Sequence, residues 1–585
     1  MSFWQAGNKI PIKQTSRAVS SQNGLEYSGG QLIDINLPAN TIKFINPKET
    51  YLKFDLDLKL PAGEAPTRLQ LDGTLGGQAL IKDIRIYSGN ETGNVLLEEI
   101  QNYNVMVSVL YDYDADDSIR NKRAISGVGT TVYKPETRGT TGSVKSNMND
   151  IFTNPYFEKP AAGNQATVFD DDNFSNVRIT MPLHTGIFSS DKVYPNILMG
   201  CRIEILLEDS VKVIKQLDTA LHYNNLALNP IFDSENGSNT AGKTNIANGD
   251  NVTKFYIKRD NSQFKPENCP FVVGEEISFA NSSAAAATWT NASGNPAYPA
   301  ISEINASANA SGGEGLVEIV LDAGYDLASA ATITSAFHVV SMSAEGVNKY
   351  EAEYSISDVE LVVGLLDMGS NYEASMMKRM KEGGGEMNLD ILTPSNYKYS
   401  QLASDVVANI RLPLEESRAR AIISVPTDAT VYNSAAIISG TGTYNVEGAA
   451  NKLITSNSTR SGLVGISDHI TSYQWFYDGK LNPSKAISTK KISDKNSIDA
   501  QVLIENEKAL VQAGIGARSF SQFNRNFFIS RALGLNQQVY DTRNKDFNLQ
   551  VQYSGTAPTK NKLWNNFCFG LRRINIRGDN ISVFK

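Results

Sequence analysis

The sequence predicts an all-β chain folded as two tandem antiparallel sandwiches. Three observations carry that expectation. Apolar and polar residues alternate along many short runs, the period of a strand with one buried face. Gly, Asn, Pro and Ser separate these runs through both halves of the 585 residues. Only two stretches show helical spacing, too few for a sheet wound from strand-helix-strand units.

The elements follow in order. Ile33, Ile35 and Leu37 alternate first. In YLKFDLDLKL, Leu52, Phe54, Leu56, Leu58 and Leu60 share one face, and Tyr51, Lys53, Asp55, Asp57 and Lys59 share the other. IRIYSGN, starting at Ile84, reads as a strand running into a turn that Gly89 and Gly93 permit. From Val95 to Asp112 the stripe of Leu96, Ile100, Tyr103, Val107 and Leu110 predicts a helix lying on the sandwich. Alternation resumes at Val359-Leu361-Val363-Leu365, Met387-Leu389-Ile391, Tyr473-Trp475-Tyr477 and Phe547-Leu549-Val551-Tyr553. A second helix is expected from about Asp499 to Gly514. Near the end, Phe567, Phe569 and Leu571 are in phase, whereas Ile574 and Ile576 fall one residue out. That slip predicts a bulge between Gly570 and Arg573.

Two composition breaks set the organisation. Residues 281–313 are dominated by Ala, Ser, Asn, Gly and Thr and carry no Lys or Arg. Strand-like runs, VTKFYIK and GLVEIVLD, flank them, so the region reads as a surface insertion with some β-structure; a disordered linker is the alternative. Lys381-Glu382-Gly383-Gly384-Gly385 separates the two β-units. The expected domains are an N-terminal arm at 1–29, a first unit at 30–367 interrupted at about 209–353, a linker at 368–386, and a second unit at 387–585.

Bulk properties narrow the function. A formal charge of −8 argues against a protein that coats nucleic acid, which needs a basic surface. Cys201, Cys269 and Cys568 are few, distant and odd in number, so neither a disulfide framework nor a zinc site is expected, and a reducing compartment fits. The first residues show no signal-peptide pattern and no apolar run is long enough for a membrane span, so the chain reads as soluble and intracellular when made.

The chemistry sought in the motifs is thin. Strand, Gly loop and helix is the order of phosphate-binding sites, and residues 84–106 follow it. The loop Ser88–Asn94 lacks the Lys-Ser/Thr pair and the G-x-G-x-x-G spacing, and Glu91 would repel a phosphate, so a plain connection is the better reading. DYDADDSIRNKR places Asp112, Asp114 and Asp116 at alternate positions. Asp117 replaces the Gly and Arg123 the Glu of a calcium loop, leaving a solvated acidic loop; FDDDN at 169–173 reads the same way. His184, His222, His338 and His469 have no metal-ligand spacing, and neither G-x-S-x-G nor H-E-x-x-H occurs. No catalytic, cofactor-binding or metal residue is assigned, and no cofactor is expected. Asn-x-Ser/Thr triplets at Asn90, Asn291, Asn305, Asn309 and Asn457 are attributed to chance. The basic arm with Lys9, Lys13 and Arg17 reads equally as a polar tail or as a contact with anionic partners or neighbouring subunits. Trp289 and Tyr298 are candidates for exposed aromatics in the insertion, suited to a receptor contact.

Several phrases sharpen the fold. FINPKETYLKFDLDLKL, LDGTLGGQALIKDIRIYSGN and VLLEEIQNYNVMVSVLYD together resemble the first jelly roll of double jelly-roll major capsid proteins, those of virophages and polinton-like viruses above all. CRIEILLEDS and YSISDVELVVGLLDM resemble the end of that roll, with the insertion between them. ITSYQWFYDGKLNPSKAI and LWNNFCFGLRRINIRGDNISVFK resemble the middle and end of the second. The resemblance implies two tandem jelly-roll sandwiches with a few short helices and a large loop insertion in the first. It implies a non-enzymatic major capsid protein whose homotrimers form pseudo-hexameric capsomers tiling an icosahedral shell around double-stranded DNA. The implied partners are the chain itself, neighbouring capsomers, and penton and minor capsid proteins. A host receptor would meet the insertion, and genome contact would be indirect at most. The implied location is the virion, with assembly in the infected cell. The alternatives are a minor capsid or fibre protein, or a carbohydrate-binding adhesin of tandem β-sandwiches; an enzyme on a β-sandwich scaffold is a third.

Overall fold

The computed structural model describes residues 13–59, 67–71, 75–89, 95–115, 119, 122–127, 156–158, 176–217, 231–234, 251–257, 277–281, 289–291, 293–295, 297–307, 316–327, 337–341, 353–381, 384–429, 463–467, 470–489, 499–520, 523, 526–534, 538–553, 558, 561–578 and 580–585. Lys9, Glu91, Gly93, Asp116, Asp117, FDDDN at 169–173, His222, Cys269 and His469 lie outside these residues.

Eight strands frame the first sandwich: β1 (Lys13–Ser20), β2 (Leu32–Leu37), β3 (Ile45–Lys59), β4 (Ile81–Tyr87), β5 (Leu96–Ile100), β6 (Asn176–Pro182), β7 (Cys201–Leu207) and β8 (Glu353–Asp367), and the short strand Glu26–Ser28 also pairs with β8. They pair antiparallel in two sheets, β1-β8-β3-β6 and β2-β7-β4-β5. The second sandwich uses β9 (Glu386–Gln401), β10 (Val407–Leu412), β11 (Ala419–Asp428), β12 (Ile470–Tyr477), β13 (Lys480–Leu481), β14 (Ile529–Ala532), β15 (Phe547–Tyr553) and β16 (Lys562–Arg577). Its sheets are β9-β16-β11-β14 and β10-β15-β12-β13, with the short strand Ile487–Ser488 also paired to β12. By position along the chain, both sandwiches read one-eight-three-six over two-seven-four-five, the strand order of a jelly roll. A final strand, β17 (Asn580–Phe584), folds back on the end of β16.

The alternation drives this closure. Leu52, Phe54 and Leu56 are buried, as are Ile33, Ile35 and Leu37, and in the second sandwich Phe547, Leu549, Val551 and Tyr553. In β8 the buried set shifts from Tyr354 and Ile356 to Val359, Leu361 and Val363. Asp358, at φ 50°, absorbs the extra residue where the pairing with β3 slips.

The longest connections all follow odd strand positions, 60–80, 101–175 and 208–352 in the first sandwich and 429–469 and 482–528 in the second, although 21–31, 402–406 and 554–561 also follow odd positions and are short. Those that follow even positions are shorter, at 38–44, 88–95 and 183–200, then 413–418, 478–479 and 533–546. Antiparallel pairing sends odd positions toward one end of each sandwich, so the long connections leave from that end. The insertion between β7 and β8 carries sheets of its own among the described residues, one with Val252–Ile257 and Leu316–Leu327 paired at its centre.

Several expectations need correction. The helix expected from Val95 to Asp112 is a strand followed by a helix, β5 and then α1 (Tyr103–Tyr113). Pairing of Ile84 with Ile100 extends the sheet through that stretch, and Asn102, at φ 52°, turns the chain between the two elements. No bulge interrupts β16, whose pairing with β9 runs unbroken from Lys562 to Arg577. The irregularity sits on the partner β11 between Ala419 and Ala421, opposite Gly570 and Phe569. The apparent slip arose because both faces of the first half of β16 are buried, Trp564 and Cys568 on one and Phe567 and Phe569 on the other. Lys13–Ser20, expected in an arm, form β1, and α2 (Ser370–Lys381) occupies most of the expected linker. The second helix, α3 (Ala500–Gln512), lies where it was read, with Asp499 accepting a hydrogen bond from the Gln501 amide as its N-cap and Gly514 at φ 75°.

Candidate functional site at the seam between the sandwiches

A row of buried polar side chains joins the two halves of the chain where the two sandwiches meet. The first sandwich brings the end of β5, the whole of α1 and the turn at 183–190. The second brings β9, β16 and the segment leading into β14.

Helix α1 is buried along nearly its whole length, including the polar Asn104, Ser108 and Asp112. Such a helix needs polar partners on its covering side, because a buried carboxylate without donors is costly. Asn526 supplies them: its Nδ2 donates to Asp112 Oδ2 at 2.7 Å and Ser108 Oγ at 3.1 Å, while its Oδ1 accepts from the Gly465 amide at 2.9 Å. Tyr113 donates its hydroxyl to the Asn526 carbonyl at 2.6 Å and stacks edge-on against Phe528 with ring centres 4.8 Å apart. Its own carbonyl accepts from the Arg518 amide at 2.8 Å. Asp114 pairs with Arg518 Nε at 3.0 Å. The solvated acidic loop expected at 112–123 is thus corrected for its first residues, because a neighbouring sandwich covers Asp112 and sets a guanidinium against Asp114.

Farther along the seam, Asn102 Nδ2 donates to Asn565 Oδ1, and Asn396 Nδ2 donates to the Gln101 carbonyl at 3.1 Å. Asn565 and Asn102 are both buried. At the short-loop end, Glu98 of β5 is fully buried and accepts from the amides of Gly186 and Ile187 at 2.6 and 3.0 Å. Burial pushes its carboxyl above the ordinary range, against the pull of those amides. The turn it holds abuts β9 so closely that a Cβ on Gly186 would sit 2.6 Å from the Leu392 carbonyl oxygen.

The contacts fix polarity. Asn396 and Asn565 lie at the long-loop ends of β9 and β16, and meet the long-loop end of β5. Asp390, near the start of β9, accepts through its carbonyl from Lys192 Nζ at 3.4 Å, in the short 183–200 connection. The sandwiches therefore stand side by side with their long connections leaving in the same direction.

The residues singled out in the sequence are scattered. His184 is set beside Tyr111, its Nε2 3.1 Å from the hydroxyl, and burial drives its pKa down to about 4. Around it Tyr103 donates to Gln78 Oε1 at 2.8 Å, and the Arg123 guanidinium lies 3.9 Å from the Tyr111 ring centre. This is a packed polar network rather than an exposed base. His338 falls on a strand of the insertion, Phe337–Ser341. Cys201 and Cys568 are buried free thiols, and burial pushes Cys201 up to about 12. Among the described residues no three His, Cys, Asp or Glu side chains gather to hold a metal, and no helix is long and apolar enough to cross a membrane. Ser88 donates no phosphate cradle; its Oγ accepts from the Val95 amide at 3.0 Å, closing the turn. Trp289, expected to be exposed, is 1% exposed and packs inside the insertion, whereas Tyr298 is 36% exposed. A strand pairing of Trp289 with Leu327 turns the indole inward, which composition alone does not reveal. The seam residues Asn526 and Asn102 went unnoticed, since single asparagines before a strand or helix look like ordinary turn formers.

No protein-family model matches the chain, and no curated protein matches it either. Among solved structures it is similar to the Faustovirus major capsid protein, with a TM-score of 0.46 at 7% identity over 97% of this chain and 91% of that one. PBCV-1 VP54, as fitted into a reconstruction of the virophage Sputnik, gives 0.45 at 9% identity over 99% and 98%. The mavirus major capsid protein gives 0.35 at 9% identity over 97% and 90%. Likenesses this low assign neither family nor function; the strand order and the seam do not depend on them.

Proposed function

We propose that this chain is a viral major capsid protein that works by assembly, with no chemical step. The observation that carries the reading is the pair of sandwiches with one strand order, packed side by side in one polarity. Three such chains place six sandwiches around an axis, giving a trimer with a nearly hexagonal outline that can tile an icosahedral shell around double-stranded DNA. The crowded end bears the long connections, including the 209–353 insertion, and suits the outer surface and a receptor contact. The sparser end suits the shell floor. Penton and minor capsid proteins complete the partners, and the virion is the final location.

The test is electron microscopy with mass photometry of the purified chain. Trimers at three times the 63.8 kDa chain mass, with a hexagonal outline, are expected. A chain that stays monomeric at high concentration and forms no regular particles would sink the reading.

A further inference from the structure

One ion pair in the second sandwich is closed to water on both partners. Lys562, the first residue of β16, is the register partner of Asp428, the last residue of β11. Its Nζ lies 2.6 Å from Asp428 Oδ1, and the two side chains are 1% and 4% exposed. Arg531 and Glu505, paired in the same sandwich, keep 16% and 14%. Taking two charges out of water commonly costs more than their attraction returns, so stability alone is a weak reason to bury them.

The pair is held from several directions. On the other flank of β16, Gln401 of β9 is also a register partner of Lys562. The Gln401 Oε1 accepts from Trp564 Nε1 at 2.7 Å and from the Tyr553 hydroxyl at 3.1 Å, and all three residues are buried. Thr427 Oγ1 donates to the Leu563 carbonyl at 3.2 Å, and the Ala429 amide donates to the Asn561 carbonyl at 2.9 Å. These bonds fasten β11 to β16 on either side of the pair. An amine and a carboxyl are thereby kept in contact where water does not compete for either.

We propose that Lys562 and Asp428 condense to an amide, a covalent staple between β16 and β11. A proton passed along the 2.6 Å contact leaves a neutral amine and a neutral carboxylic acid. The Nζ lone pair attacks Asp428 Cγ, and a C–N bond forms. The bond from Cγ to the hydroxyl oxygen breaks, and the hydroxyl leaves as water with one proton from Nζ. Both charges vanish together, net charge is unchanged, and neither an oxidant nor a co-reactant is needed. In bulk water the free acid and amine are favoured. Groups held in contact, however, react as if at about 10⁵ M or more, far above the concentration of water. The amide carries no charge, which a dry site tolerates better than an ion pair. The staple closes residues 428–562 into a loop that contains β12 to β15 and α3. It belongs to the single chain, so it is independent of the capsomer reading.

Intact mass spectrometry of the purified full chain is the test. Folded wild type, held until its mass is constant, should weigh about 18 Da less than its sequence, the mass of one water. Trypsin should then release a branched peptide that joins 421–452 to 561–572 and is uncut after Lys562. The branch distinguishes the staple from a succinimide, which loses the same mass without linking two peptides. Lys562→Arg keeps the positive charge and should show the full sequence mass, with slower migration in a denaturing gel because its chain is no longer looped. Wild type at full mass, cut after Lys562, would overturn the staple and leave a plain ion pair. A missing water whose branch maps to other residues would overturn it as well. Should Lys562→Arg fail to fold, the wild-type mass and peptide map decide alone.

Discussion

Asn526→Leu tests whether the seam makes one body of two sandwiches. Leucine keeps the branched four-atom skeleton of the asparagine side chain, so the change removes polar contacts without opening a cavity. Three hydrogen bonds are lost, to Asp112, Ser108 and the Gly465 amide, all at positions closed to water. Two neutral bonds at ~1 kcal/mol each and one to a carboxylate at ~2 kcal/mol give a loss of about 4 kcal/mol. For a cooperative unit the size of one sandwich, that lowers the melting midpoint by roughly 10 °C. Differential scanning fluorimetry of the recombinant chain measures the shift, and hydrogen exchange locates it. Protection should fall in α1 and in 515–528 together, because each closes the other. A double-mutant cycle with Ser108→Ala should show coupling of about 1 kcal/mol. A midpoint within about 2 °C of wild type, or loss of protection on one side of the seam alone, would refute the reasoning.

Four other outcomes are expected. Gly200, at φ 65°, sits so close to Gly89 that a Cβ would lie 2.6 Å from the Gly89 carbonyl carbon, so Gly200→Val should abolish soluble expression and Gly89→Val reduce it, as yields on a gel would show. Trp289→Ala should cost the insertion about 3–5 kcal/mol of local stability, visible as faster exchange across 252–327 with the seam protected as before. His184 is held neutral at about 4 in the folded chain against 6.5 in the unfolded one. Between those values the unfolded state binds more protons, so stability falls as pH drops from about 6.5 to 4, by up to about 3 kcal/mol, and levels off below; thermal melts of His184→Gln should lack that slope. Glu98→Gln should keep the turn at Gly186 and Ile187 only in part, because an amide has one oxygen to accept two bonds; trypsin cleavage after Lys192 is expected to accelerate severalfold.

The architecture was legible wherever one face of a strand meets the core and the other meets water. Leu52-Phe54-Leu56 and Phe547-Leu549-Val551 state their burial in their spelling. Legibility failed where that contrast disappears. In β16 both faces are covered, so Phe567 and Phe569 looked like a change of phase. At Val95–Asp112 the apolar spacing served a strand and a helix in succession, and only Asn102 in the left-handed region divides them. Polar β1 resembles a tail because its partner, β8, lies more than 300 residues away in sequence. The seam was the least legible feature: Asp112 spells a solvated loop until Asn526, from the other half of the chain, is placed beside it.

That concealment follows from what the seam must do. An apolar seam between two sandwiches would tolerate sliding and rotation, since contact area alone is non-directional. Asn526 has three directional bonds to satisfy with groups on α1 and the Gly465 loop, and Asn102 and Asn396 meet their partners a strand's width away. Turning one sandwich end over end would part Asp112, Ser108 and the Gly465 amide from Asn526, at a cost of about 1–3 kcal/mol for each buried hydrogen bond lost. The polar pairs therefore select the parallel arrangement of the sandwiches and reject the antiparallel one. In the proposed ring of six that selection would be decisive, because one inverted sandwich would carry its long connections into the floor of the shell. A seam made of asparagines, less adhesive per unit area than one of leucines, holds the two sandwiches in a single orientation, which the proposed assembly would need to repeat many times.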